Sequence, residues 1–281
     1  MQLQPIEKVS GLGRETFESR YLDPLKPVVF KDLIQDWPAR DQWTFEFFRS
    51  RYGHLEVPIY DSSFSQGGKG YMSSSMSMKF ADYLDLIEKG PTQYRIFLWN
   101  IFKHAPELAE YIRPFTIMNG FINELPFMFF GGQGSYTKIH YDIDCSHVFL
   151  TQFQTRKRVL LFDQDQSKYL QHVPFTVGCL VNPIDPDENK YPTLRHIKGW
   201  ETVLEHGETL FIPSMYWHHI EYTDSGFSIA LRASNSLGLK LKGAYHLVRH
   251  MAVDRGMNFI LGKKWEAIKV NMAKRRSEVH P

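Results

Sequence analysis

The chain has 281 residues, enough for one large domain with a substantial core or for two small ones. Its 43% hydrophobic and 23% charged residues are those of an ordinary globular protein, and an aromatic share of 15% favours strands and apolar pockets over disorder. Net charge is only +2, the two cysteines (Cys145 and Cys179) exclude a disulfide framework, and no run approaches the length of a membrane span, so a soluble cytoplasmic protein without a signal peptide is expected.

Thr16 to Tyr21 reads as a short helix and Lys26-Pro27-Val28-Val29-Phe30 as a strand opened by proline. Thr44 to Tyr52 reads as a helix ended by Gly53, and Leu55 to Tyr60 as a strand. Asp61 to Ser77 breaks the pattern with Ser and Gly and isolated Phe64, Tyr71 and Met72. A stretch of this length is either a disordered linker or a lid whose Phe64 or Tyr71 excludes water from a site. Met78 to Glu88 returns to helical spacing through Phe80, Tyr83, Leu84 and Ile87, and Gly90-Pro91 stops it. Tyr94 to Asn100 reads as a strand and Ala105 to Tyr111 as a short helix with Pro106 in its first turn.

From Pro126 onward strands dominate: Phe127 to Phe130, Ser135 to Tyr141, His147 to Phe153, Arg158 to Phe162, Thr209 to Ile212, His219 to Tyr222 and Phe227 to Arg232. Many short strands at this spacing predict a sandwich or barrel, of which the cupin jelly roll is one kind. Gly131-Gly132-Gln133-Gly134 is not a phosphate loop, because no Lys-Ser/Thr or helix start follows it. After Gly238 the spacing is helical again, with Leu241, Tyr245, Val248 and Ala252 on one face and Trp265, Ile268 and Met272 on another. Such faces either dock on the core or meet a second copy in a homodimer. This tail carries 10 Lys/Arg against 3 Asp/Glu, which fits contact with nucleic acid or an acidic partner, but a solvated helix face is the simpler reading.

Chemistry enters with His140-Tyr141-Asp142. Side chains alternate along a strand, so His140 and Asp142 face one way and Tyr141 the other. Chance alone supplies about 0.6 such triplets in a chain with this many His and Asp, so context must carry the argument. A third ligand from a distant strand, His218 or His219, would complete a 2-His-1-carboxylate facial triad, which holds Fe(II) and leaves coordination positions open.

Gly207-Glu208-Thr209-Leu210-Phe211-Ile212-Pro213 leading into Trp217-His218-His219 resembles the closing strand of JmjC-type, cupin-fold 2-oxoglutarate oxygenases. Further matches in the same order are Lys26 to Phe30, Trp37-Pro38-Ala39, Met78-Lys79-Phe80, Thr137 to Asp142, Arg156 to Phe162, Tyr191-Pro192 and Gly199 to Val203. Together they span about residues 20 to 235, with the asparaginyl hydroxylase of hypoxia-inducible factor as the nearest group.

The resemblance implies a mainly β fold with flanking helices. A double-stranded β-helix (jelly roll) core at about 120–235 would lie in an oxygenase domain of residues 1–237 with an N-terminal α/β elaboration, followed by a helical extension, 238–281. It implies Fe(II) held by His140, Asp142 and His218, with His219 packed elsewhere, and 2-oxoglutarate and O2 as cosubstrates. Lys157 matches the lysine that takes the far carboxylate of 2-oxoglutarate, and Thr137 its hydroxyl partner. Strand alternation puts Lys157 on one face and Arg156 and Arg158 on the other, so only one set is inside.

The sequence departs from the asparaginyl hydroxylase in three places. The segment 143–147 is two residues longer, which leaves Ser146, His147 or Val148 where a supporting Asn is expected. Phe97 stands where a tyrosine is expected, with Tyr94 or Asn100 as substitutes, and Arg232 replaces an Asn and is a candidate second carboxylate anchor. A protein or peptide hydroxylase is the function this likeness implies. The alternatives are action on a tRNA base, an N-methyl lysine or a small molecule, and a metal-binding cupin module without catalysis.

Overall fold

The computed structural model describes residues 1–61, 73–122 and 126–278. The chain begins with β1 (Gln2–Pro5), β2 (Lys8–Val9), α1 (Arg14–Phe17), β3 (Val28–Phe30), α2 (Pro38–Gln42), α3 (Phe45–Tyr52), β4 (Glu56–Ile59), β5 (Met76–Lys79), α4 (Phe80–Lys89) and β6 (Arg95–Trp99). The strand-rich part follows as β7 (Phe127–Gly131), β8 (Tyr136–His140), β9 (His147–Phe153), β10 (Arg156–Phe162), β11 (Lys198–Glu205), β12 (Thr209–Ile212), β13 (Trp217–Glu221) and β14 (Gly226–Ala233). Three helices close the chain: α5 (Leu237–Arg249), α6 (Gly256–Leu261) and α7 (Lys263–Glu278).

Two sheets face each other in a jelly roll. One has the order β1-β11-β10-β13-β8, the other β2-β3-β12-β9-β14-β7-β6, and β4 pairs with β5 separately. Because side chains alternate, every central strand feeds two cores at once. Along β9, Val148 and Leu150 enter the space between the sheets with Val159, Leu161, Leu210, Ile212 and Ala230. Phe149 and Phe153 point out of the same strand into a larger cluster with Phe17, Trp43, Phe48 and Phe80 from the N-terminal helices. On the far side Leu160, Phe162, Trp217 and Tyr141 form a third cluster under the 170–197 segment.

Local chemistry explains several boundaries. The Thr44 hydroxyl accepts the Phe47 N–H at 3.0 Å and so caps α3. Met78 and Lys79 pair with Val57 and Glu56, so α4 starts at Phe80 rather than at Met78, and the expected loop ends before Met76. Cross-strand pairing overrides the helical spacing there, because β4 offers an unpaired edge. The lid candidates Phe64 and Tyr71 lie outside the described residues. β11, not expected as a strand, runs antiparallel to β10 and parallel to β1.

The tail docks differently from its apolar spacing. Leu241, Tyr245 and Val248 stay 63%, 63% and 65% exposed, so this face does not cover the chain's own core. Instead Gly243 sits on the loop after β8: a Cβ there would lie 2.1 Å from the Asp144 carbonyl oxygen. Trp265 and Lys269 both donate to the buried Asp254 carboxylate, which ties α7 to the turn before α6. No helix among the described residues is long and apolar enough to cross a membrane. Propensity alone would make Gly243→Ala stabilising by about 1 kcal/mol in a helix. The close approach to Asp144 reverses the sign, so urea denaturation should give a lower midpoint for the variant, and an unchanged or higher midpoint would contradict this packing.

Candidate metal centre

β13 lies between β10 and β8 in its sheet. His218 pairs directly with His140, and their rings lie 4.2 Å apart between centroids. The register then slips, so that Ile220 opposes Thr137 and two residues, Lys138 and Ile139, oppose His219 alone. That bulge returns Thr137 to the face of His140 and His218. His219 points the other way, stacked on Tyr136 at 5.6 Å.

One ligand-type atom from each of His140, Asp142 and His218 lies within 4.8 Å of the other two. Each imidazole is oriented by its own strand: His140 Nδ1 bonds the Lys138 carbonyl at 2.9 Å and His218 Nδ1 the Tyr216 carbonyl at 3.0 Å. A carbonyl only accepts, so both Nδ1 atoms carry the proton and both Nε2 lone pairs are left to converge. Burial, reinforced by His218, pushes His140 down to about 3, so it stays neutral. Burial works against ionisation of Asp142, but the charge and the hydrogen bond of Arg232 outweigh it and hold the carboxyl well below the usual range. Two imidazoles and one carboxylate on one face are a donor set suited to a divalent first-row metal.

Arg232 shapes this centre differently from a free anchor. Its Nη2 donates to Asp142 Oδ1 at 3.1 Å, while Nη1 donates to both Asp144 oxygens at 2.8 and 3.0 Å and to Ser146 Oγ at 3.0 Å. The guanidinium, expected to anchor a cosubstrate carboxylate, thus meets carboxylates of the chain itself. Its pairing with Val148 sets this position. Of the three residues at the expected Asn position, Val148 enters the inner core, Ser146 joins Arg232, and His147 stacks outward on Phe211 at 5.5 Å.

Lys157 is buried inside, while Arg156 and Arg158 lie outside, paired with Asp224 and Glu201. The Lys157 Nζ donates to Ser228 Oγ at 2.8 Å and lies 4.2 Å over the Tyr222 ring. No described carboxylate pairs with it, and burial pushes its ammonium down to about 7. Tyr94 does not reach this space. It packs against the outer aromatic cluster with Ile96, which shares its parity on the strand, whereas Arg95 pairs with Gly131 on the inner side. Phe97 follows Arg95, whose guanidinium is 5.8 Å from its ring. Asn100 comes just past the end of β6, half-buried ahead of a turn at Ile101–Lys103.

Sequence reasoning missed Tyr222, Asp144 and Arg95. Tyr222 was legible as the next inward position after His218 and Ile220, and Arg95 as a charge inside an apolar strand. Asp144 needed the fold, since its partner Arg232 is 88 residues away.

Known proteins with related sequences span several activities by name. The chain is 29% identical over 243 residues to lysine-specific demethylase 8 of Xenopus tropicalis, covering 80% of this chain and 52% of that protein. It is 27% identical over 284 residues to the 2-oxoglutarate and iron-dependent oxygenase JMJD4 of Gallus gallus, covering 90% and 65%. It is 23% identical over 246 residues to human tRNA wybutosine-synthesizing protein 5, covering 80% and 76%. The chain spans about half the length of the demethylase relatives it matches. A family match running over residues 14–233, from the first helix to the last barrel strand, means that the chain belongs to the cupin-like domain family.

Proposed function

We propose that this protein is an Fe(II)- and 2-oxoglutarate-dependent oxygenase that hydroxylates a side chain of a protein or peptide. The observation that carries the reading is a metal-suited triad and an anion-lacking buried lysine in one barrel interior. The names of relatives support the class: one is called a 2-oxoglutarate and iron-dependent oxygenase. The choice of a protein over a tRNA substrate rests on the likeness to the asparaginyl hydroxylase group. Residues 1–237 form the catalytic unit, and the 238–281 extension braces it through Gly243.

Iron with 2-oxoglutarate and O2 supplies oxidative decarboxylation coupled to insertion of one oxygen atom into a C–H bond. His140, Asp142 and His218 would hold the metal. Arg232 fixes one oxygen of Asp142 and so orients the carboxylate. Lys157, with Ser228 and Thr137, would receive the far carboxylate of the cosubstrate. Val148, Leu150 and Ala230 line the interior with apolar surface that keeps water out.

Purified protein given Fe(II), ascorbate and 2-oxoglutarate should form succinate, and His140→Ala should form none. Intact-mass comparison of lysate proteins and RNA should then show a gain of one oxygen atom on protein. Loss of a CH2 unit would redirect the reading to demethylation, a gain on RNA to a tRNA base, and no succinate at all to a metal-binding module. Arg232→Gln should weaken Fe(II) binding by about 10- to 100-fold in a metal titration, with the fold intact by circular dichroism.

Lys157→Ala should raise the 2-oxoglutarate concentration required by about 100-fold, since one partner of a buried charge pair is lost. The pH dependence has a definite sign. Empty, Lys157 titrates at about 7 instead of the usual 10.5, and a bound carboxylate raises it again. Binding between these limits therefore takes up a proton, and affinity falls as pH rises above about 7. Calorimetry at pH 8 in buffers of different ionisation enthalpy should register this uptake, and it should vanish near pH 5.5.

A further inference from the structure

Outside the barrel interior, a cleft of about 580 Å³ opens between α7 and the turn at Gln164–Lys168 with the residues after it. One wall carries Ser167, Lys168, Gln171 and His172, and the other Arg275 and Arg276. Its volume is that of a small-ligand site rather than a packing defect.

The charges in it are unbalanced. Several arginines elsewhere on this protein meet carboxylates: Arg49 with Glu46, Asp85 and Glu88, Arg156 with Asp224, Arg158 with Glu201. Among the described residues no carboxylate pairs with Lys168, Arg275 or Arg276. Burial lowers the pKa of His172, and the nearby charges of Arg276 and Arg249 push the same way, so the positive field reaches the cleft floor. Gln171 adds a second sign. It is 6% exposed, its buried Oε1 meets no partner, and its backbone is held at φ 55°. Gln171 lines the cleft, and its amide carries a donor as well as an acceptor.

We infer that this cleft binds a phosphate group, carried either by a nucleotide or by the backbone of an RNA strand. Phosphate suits it better than carboxylate because the donors converge from two walls. A tetrahedral group with several acceptor oxygens serves all of them, whereas a planar carboxylate serves one direction. The floor is fixed to the metal-bearing strand: Ser167 Oγ accepts from Trp217 Nε1 at 2.9 Å, and His172 packs on the Trp217 ring at 5.1 Å. The inference is independent of the oxygenase reading, since it uses none of the triad.

The test titrates the full-length protein with inorganic pyrophosphate, with ADP and with a labelled single-stranded oligouridylate, using polyglutamate of matched charge as the contrast. Saturable binding of pyrophosphate and ADP with no gain for the oligonucleotide identifies a nucleotide site. Much tighter oligonucleotide binding identifies an RNA strand. In either case Arg275→Gln/Arg276→Gln should weaken binding on the order of tenfold or more, and for RNA should lower the slope of log K against log salt by about two. Gln171→Ala should weaken it as well, and uncoupled succinate formation should stay as in the parent protein. Failure of every phosphate probe to bind below about 1 mM at low salt would overturn the inference. So would equal binding of polyglutamate, or undiminished binding by the double variant.

Discussion

A charged side chain between two packed sheets is costly unless a group of opposite sign meets it, and the interior of this barrel is organised by that constraint. At one end it is satisfied within the chain. Arg232 lies between Asp142 and Asp144, so one guanidinium is shared by two carboxylates and holds Asp142 ionised. At the other end it is not, because Lys157 has only a hydroxyl and an aromatic ring. The asymmetry gives the interior a direction: a metal-type donor set toward one end, and toward the other an ammonium that meets no described carboxylate.

The same arrangement ties the centre to distant parts of the chain. Asp144 shares Arg232 with Asp142, and Gly243 of α5 rests on the Asp144 backbone. Tyr141, between the two ligand residues, turns outward to pack edge-on against Trp217 at 4.8 Å and lies near His246 of α5. The C-terminal helices therefore support the loop that presents the carboxylate. Their apolar face at Leu241, Tyr245 and Val248 is left toward solvent, and their basic end forms one wall of the outer cleft.

Much of the fold was legible because strands have a period of two and most of the relevant ones are regular. Alternation says that His218 and His219, and Lys157 and its arginine neighbours, take opposite faces, and the likeness to JmjC-type oxygenases chose His218 and Lys157 as the inward ones. The places where reading failed are those where the period is broken or overruled. β6 carries a left-handed residue, Leu98, at φ 53°, and its pairing with β7 shifts between Ile96 and Trp99, so alternation does not carry through it. The bulge in β8 brings Thr137 onto the face of His140, although the two are three residues apart. Met78 and Lys79 have helical spacing, yet they complete a strand pair with β4.

The sequence by itself determined the strand-rich class and the shared face of His140 and Asp142, because residue chemistry and alternation are local properties, and the choice of His218 came from a motif likeness. Only the tertiary structure decided what each charge meets. Arg232 could be read as an anchor for a ligand until a carboxylate 88 residues earlier in the chain proved to be its partner. Charge pairing inside a barrel is set by distances across the sheets, and no local pattern encodes those distances.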